Sequence, residues 1–277
     1  MQQNTRVAAM LFCTAVYCPA AHLTQTAERA FDAYITNLKS RLAEQHAAPE
    51  TYLAALDVNA PARTDREQQL RSGAVRIEPV NGGSWAISGG LMHHWRAAAF
   101  VPAADANQML ALLRNPSHLS RYYAPQVVSS RALSGRGKIT SLIRFKKQMI
   151  VTVVLDAEFE GYNELTGDSR GYGLSRSTHI WQVDDPGTAQ EHRRPEGDDA
   201  GYLWRLNSYW SFVRVPDGLF IECEAVSLTR DIPLGLGWLI SPIIQSLPRE
   251  SLEFTLKATK NALLSKALKG ADDERTN

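Results

Sequence analysis

Arg205, Asn207 and Tyr209 alternate along one segment of this chain, and Glu222 and Glu224 alternate along the next. Successive side chains of a β-strand point to opposite faces, so each set shares one face if both segments are strands. In the same stretch, WRLNSYWSFVRVPDGLFIECEAVSLTR, the residues Trp204, Leu206 and Trp210 fall on the other side of the first strand. Two arrangements accommodate such charges beside large rings. In the first, Arg, Asn and Glu decorate an outer sheet face, and each cross-strand ion pair contributes roughly 0.2–1 kcal/mol. In the second, they line a hollow and orient a mostly apolar ligand, as the few polar groups of a binding pocket do. The second arrangement requires the charges to be paired, because an isolated buried charge is very costly. Arg144, Arg176, Tyr122 and Trp238 join Arg205, Asn207, Tyr209, Glu222 and Glu224 as candidate ligand-binding residues.

Other residues with chemical potential form weaker patterns. His93 and His94 are adjacent on an expected strand, so they point to opposite faces and cannot chelate one ion together. Asp156, Glu158 and Glu160 share a face, which reads as a solvated outer surface because a catalytic carboxylate needs a partner and a pocket. GRGKITS (135–141) lacks the spacing of a phosphate-binding loop and reads as a hairpin turn. GYGLS (171–175) lacks the central serine of a nucleophile elbow. No catalytic residue, metal site or cofactor is expected from these patterns.

Several elements would have to position the candidate residues. LTQTAERAFDAYITNLKSRLAEQ (23–45) carries Ala30, Tyr34, Leu38 and Leu42 at four-residue spacing, the mark of an amphipathic helix. Shorter helices are expected up to Gly73. Alternating apolar residues on either side of Asn81-Gly82-Gly83 suggest a short hairpin with its turn there. Residues 22–88 therefore read as a mainly helical extension, and residues 89–270 as the main domain. That domain opens with a strand (91–101) and a helix (102–115). A short helix and about six antiparallel strands follow, with an exposed loop over 186–199. The last element is a long helix from about Ser246 to Lys269, whose acidic start and basic end suit the helix dipole. Residues 271–277 read as a disordered tail.

The ends and the composition add boundary conditions. VAAMLFCTAVYC (7–18), after Arg6 and before small residues near Ala20 and Ala21, has the form of an export signal covering residues 1–21. A buried helix or an uncleaved anchor is the alternative. Removal of the signal would leave Cys223 as the sole cysteine, with no intramolecular disulfide. A net charge of +1 over 277 residues offers no general attraction for nucleic acid.

The order of elements resembles the helix-grip fold of the START/Bet v 1-like (SRPBCC) superfamily. HHWRAAAFVPAADANQMLALLRN, YYAPQVVSSRAL, WRLNSYW, ECEAVSLTRDIP and LPRESLEFTLKATKNAL carry the resemblance over residues 89–269, within a bacterial branch that bears signal sequences. The resemblance implies an α+β fold in which a curved antiparallel sheet wraps a long C-terminal helix, with a cavity between them. It implies binding of a hydrophobic or amphipathic partner such as a lipid, isoprenoid or polyketide-like compound. It transfers no catalytic residue, since the superfamily has no single catalytic motif. The expectation is an exported, periplasmic binding or carrier protein with IPLGLGWLISPIIQ (232–245) as a gate capable of transient membrane contact. A cyclase or aromatase using the same cavity, or an interaction protein with a filled core, are the alternatives.

Overall fold

The computed structural model describes residues 21–133, 138–148, 152–196, 198–231 and 237–276, with side chains of 237–245 and 266–276 excepted. The expected export signal and the turn at Gly135-Arg136-Gly137 therefore lie outside the described residues.

Eight long strands form one antiparallel sheet. They are β1 (Val75–Ile87), β2 (Gly90–Pro102), β3 (Val127–Leu133), β4 (Ile139–Gln148), β5 (Thr152–Thr166), β6 (Arg170–Asp184), β7 (Arg205–Val215) and β8 (Gly218–Thr229). Their order across the sheet is β1-β2-β8-β7-β6-β5-β4-β3. The helices are α1 (Gln25–Ala47), α2 (Ala60–Arg71), α3 (Ala106–Leu113), α4 (Leu119–Tyr122) and α5 (Gly237–Thr276). This is the expected α+β helix-grip arrangement: a long antiparallel sheet with the C-terminal helix on one of its faces.

Local chemistry sets the helix starts. The Thr24 side chain accepts from the Ala27 amide at 3.1 Å, and Asn59 accepts from Ala62 at 3.1 Å. Asp105 and Gln108 form a reciprocal capping box at α3. Each device satisfies amides that a helix start leaves unpaired.

Alternation along β8 sorts its side chains. Leu219, Ile221 and Cys223 pack on the inner side with Ala97, Ala99 and Val101 of β2, Phe212 of β7, and Leu252, Leu256 and Leu263 of α5. Val226 and Leu228 pack on the outer side with Phe31, Ile35, Leu38 and Leu42 of α1. Beside them, Phe220 meets Tyr52, Leu53, Leu56 and Leu70 of the segment that runs from α1 through α2. The sheet centre is thus covered by helices on both faces. The half formed by β3–β6 is covered on the inner side by α5 and α4, through Tyr123, Ile143, Leu155, Phe159, Phe254 and Ala258, while on the outer side α1 reaches only as far as β6, through Leu174 and Tyr172.

Four expectations about elements need correction. Asn81-Gly82-Gly83 is not a hairpin turn. The pairing runs Pro79↔Trp95 and then Ser84↔His93, so these residues form a bulge inside β1. All three have positive φ, at 51°, 80° and 80°, which suits Asn and Gly in a bulge as well as in a turn. The turn lies at Ser88-Gly89, where Ile87 pairs with Gly90 and Gly89 has φ 84°. Consequently β1 is an edge strand of the main sheet, not part of a separate preamble. On α1 the buried positions are Ala27, Phe31, Ile35, Leu38, Leu42 and Gln45, a 3.6-residue stripe instead of strict four-residue spacing. Finally, α5 begins at Gly237 and continues through Thr276. The expected gate is therefore helical over 237–245, its first part (232–236) lying outside the described residues, and the expected disordered tail is helical over 271–276. Glycine at an internal helix position costs only about 1 kcal/mol relative to alanine, so Gly270 weakens the helix without ending it.

Leu256 is fully buried between α5 and the sheet. Its replacement by alanine removes apolar contacts and leaves a cavity, so Leu256→Ala is expected to lose about 2–5 kcal/mol of unfolding free energy in urea titration.

Candidate functional site

The interface between sheet and α5 has few polar groups. The Tyr123 hydroxyl and Thr259 Oγ1 meet at 2.7 Å in a fully buried contact, and burial pushes the Tyr123 phenol well above its ordinary range. The Cys223 thiol, the expected buried cysteine, is likewise pushed up by burial. His93 bridges Ser84 Oγ at 2.8 Å and Thr229 Oγ1 at 3.0 Å. Burial lowers its pKa to about 4, so it is neutral near pH 7. Trp95 packs at the margin of this core. Its indole Nε1 is buried and has no hydrogen-bond partner among the described residues. Tyr122, half-buried, touches both inner clusters.

The outer face beneath α1 is different. Glu224, with only 1% of its side chain exposed, accepts from Arg41 at 2.5 Å and His94 Nε2 at 2.7 Å through Oε2, and from Arg96 Nε at 3.0 Å through Oε1. The second His94 nitrogen lies 2.7 Å from the Tyr34 hydroxyl. Asn81 Nδ2 donates to that hydroxyl at 3.0 Å. The phenol proton is therefore directed to His94 Nδ1, and the His94 Nε2 proton to Glu224. Glu222 accepts from the amides of Ala55 at 2.6 Å and Ala54 at 3.2 Å, and from Gln45 Nε2 at 3.4 Å. Gln45 in turn accepts from Arg41 at 2.8 Å. His46 meets Ser211 Oγ at 2.8 Å and stacks on Tyr52. These contacts join α1 and the 54–56 turn to β7, β8 and β2.

The two carboxyls titrate in opposite directions. Burial raises Glu222, as does the charge of Glu224, to about 7 despite Arg96 and the two amides. Burial opposes ionisation of Glu224 too, but the His94 hydrogen bond and the charges of Arg96 and Arg41 outweigh it and hold this carboxyl well below its usual range. Burial lowers His46 to about 4 and also lowers His94.

The candidate ligand-binding residues are consequently dispersed. Asn207 and Tyr209 are buried beside Glu224 on the α1 side, with Asn207 Nδ2 donating to the Tyr209 hydroxyl at 3.2 Å. Arg205 pairs with Glu28 of α1 and with Glu196. Arg144 pairs with Asp156 and Glu191, and Arg176 with Glu160. Like Glu222 and Glu224, these residues are on the outer face, not in the space facing α5. Charged atoms can be satisfied there by α1 or by water, whereas the inner face meets apolar residues of α5. Only Tyr122 is on the inner side, and the Trp238 side chain lies outside the described residues. Trp204 also departs from the expected grouping: it precedes β7 and packs with α1, because strand alternation does not extend to a residue outside the strand. Of the three acidic residues read as a solvated outer face, Asp156 is buried against two arginines.

Sequence reasoning missed Arg41, Gln45, His94 and Arg96 as partners of the glutamates, and His46 as the partner of Ser211. The available signal was on α1: Tyr34, Leu38, Arg41 and Gln45 follow helical spacing, so the buried stripe becomes polar toward its C-terminal end. Among the described residues, no group of three or more His, Cys, Asp or Glu side chains is arranged to hold a metal ion. No described helix is long and apolar enough to cross a membrane.

No protein-family model and no curated protein matches the sequence. Solved structures that share similarity include a STAR-related lipid transfer protein fragment from Xanthomonas axonopodis, at 20% identity and TM-score 0.41, covering 65% of this chain and 98% of that one. The Zhui aromatase/cyclase from Streptomyces sp. R1128 is similar at 13% identity and TM-score 0.37, covering 67% and 96%. Human STARD10 is similar at 10% identity and TM-score 0.37, covering 80% and 85%. The fold assignment rests on the strand order and helix placement given above.

Breaking the α1 clamp should be costly. Glu224→Gln leaves Arg41 and Arg96 without their buried counter-charge and is expected to cost about 3–5 kcal/mol by denaturant titration. The pH dependence has two limbs. His46, His93 and His94 have folded pKa values below the ordinary 6.5, so unfolding takes up protons and stability falls on acidification from about pH 6.5 toward 4. Glu222 has a folded pKa raised above its ordinary 4.5, so the stability it contributes is complete below pH 4.5 and is lost as pH rises through about 7. Over pH 4.5–6.5 three histidines oppose one carboxyl, so stability rises from about pH 4 and levels off above about pH 7. Thermal unfolding across pH 4–8 should show this rise and plateau, and Glu222→Gln should steepen the rise between about pH 4.5 and 7.

Proposed function

We propose that this protein binds or carries a hydrophobic or amphipathic small molecule in the space between the sheet and α5. The observation that carries this reading is the Trp95 indole N–H, buried without a partner among the described residues at the margin of an inner face that has few polar groups. A buried donor without an acceptor costs about 1–3 kcal/mol. An acceptor on the polar end of an amphipathic ligand would satisfy it, while the apolar body packs against the inner face. The binding mode is sequestration: α5 and the sheet exclude water, and the few polar groups fix orientation. A lipid, an isoprenoid or a polyketide-like compound has the required chemistry.

We also infer that the chain is exported. The support is the apolar run at 7–18 with its basic leader and the small residues that follow. His22 pairs with Asp198, so a mature chain starting at His22 would retain that pair.

Native mass spectrometry of the purified protein should detect a bound small molecule that organic extraction removes. Trp95→Phe keeps the ring and removes the donor, and should weaken rebinding of the extracted molecule roughly fivefold, the equivalent of about 1 kcal/mol for one hydrogen bond. A ligand-free spectrum together with no binding of a fluorescent long-chain fatty acid would sink the proposal.

A further inference from the structure

A second, separate site is present on the outer face of the sheet, on the part that α1 leaves uncovered. Cross-strand pairing aligns Ser129 of β3, Arg144 of β4, Asp156 of β5 and Trp181 of β6 in one row. Arg131 pairs with Leu142 in the next row on the same face. Ser129, Ser130, Arg131, Leu142, Arg144 and Asp156, with Arg193 from a two-residue strand (His192–Arg193) that pairs with β6, line a cavity of about 180 Å³.

The arrangement is organised around a buried carboxylate. Asp156, with 4% of its side chain exposed, accepts two hydrogen bonds from Arg144, at 2.7 and 3.0 Å, and one from Arg193 Nε, at 2.8 Å. The remaining Arg144 nitrogen is 2.8 Å from Glu191. Arg193 also lies over the Trp181 ring at 4.6 Å. Its guanidinium is therefore held at two points, while Nη1 and Nη2 keep no hydrogen-bond partner among the described residues. Arg131 has no ion-pair partner among them either. Among the lining residues, three arginines (Arg131, Arg144 and Arg193) face one carboxylate, Asp156; Glu191, paired to Arg144, and Glu158, the cross-strand neighbour of Leu142, lie beside the cavity.

We propose that this cavity binds the phosphate group of a small ligand. Arg131 and the free end of Arg193 supply forked N–H donors, which match phosphate oxygens in bidentate geometry. The Ser129 hydroxyl supplies a further donor. Asp156 and Glu191 fix Arg144, and Asp156 orients Arg193 toward a fixed position before the ligand arrives, so little side-chain freedom is lost on binding. Leu142 provides one apolar wall. The phosphate could belong to a soluble molecule or to a phospholipid headgroup. The site is independent of the inner-face reading, since the sheet separates the two.

The test uses the full chain, inorganic phosphate and vesicles. Isothermal titration calorimetry at constant ionic strength should give one phosphate site. Arg131→Gln should weaken it at least tenfold without changing the melting temperature, since Arg131 is exposed and unpaired, while Arg29→Gln on α1 should leave it unchanged. Flotation with phosphatidylcholine vesicles, with and without phosphatidic acid, separates the sources. Retention by phosphatidic acid that R131Q abolishes assigns a lipid headgroup. Phosphate binding without retention assigns a soluble phosphate. Absence of both, or equal behaviour of wild type and R131Q, overturns the proposal.

Discussion

The carboxylate of Glu224 lies in the middle of a sheet and under a helix, and the N-terminal half of the molecule is arranged to satisfy it. Arg41 reaches it from α1, and His94 and Arg96 from the adjacent strand. A carboxylate this deeply buried is tolerated only when its counter-charges and hydrogen bonds are all in place. Arg41 is the contribution that the sheet cannot make for itself. The helix is thus an integral layer of the fold. Glu222 repeats the logic two residues away, holding the 54–56 turn through backbone amides where Glu224 holds a helix through charge.

Once the outer face is closed in this manner, the centre of the sheet has helices on both sides. Strands β2 and β8 are buried along nearly their whole length, which accounts for apolar residues at both parities around the charged positions. The two faces then divide their physical roles. The outer face satisfies charge with charge, and the inner face presents apolar surface with a few neutral polar groups to α5. An apolar molecule is more compatible with the second environment, because binding there displaces little hydration from polar groups.

The sequence carried the local rules well. Period-two alternation in β8 assigned Glu222 and Glu224 to one side, and opposite faces for His93 and His94 followed from their adjacency. The run of antiparallel strands and the long last helix were readable from the succession of elements. Alternation groups residues without saying which face meets which neighbour, and that choice here depends on Arg41, 183 residues from Glu224. Contacts at that separation leave no periodic trace. The Asn81-Gly82-Gly83 bulge was misread because a bulge and a hairpin turn require the same positive-φ residues. The start of α5 was misplaced because Gly237 and Pro242 were taken as breaks; Gly237 is the first helical residue, and Pro242 lies within the helix, where proline forgoes one i→i−4 hydrogen bond but does not end it.

The division of roles can be located directly by photo-crosslinking the purified protein with a diazirine-bearing fatty acid and mapping the modified peptides by mass spectrometry. Labels should fall on peptides that contribute to the inner face: those containing Trp95, Tyr122–Tyr123, Phe159 or Leu252–Leu263. Labels concentrated instead on α1 residues 34–46 would place the ligand under that helix, and would contradict the assignment of the outer charges to fold clamping.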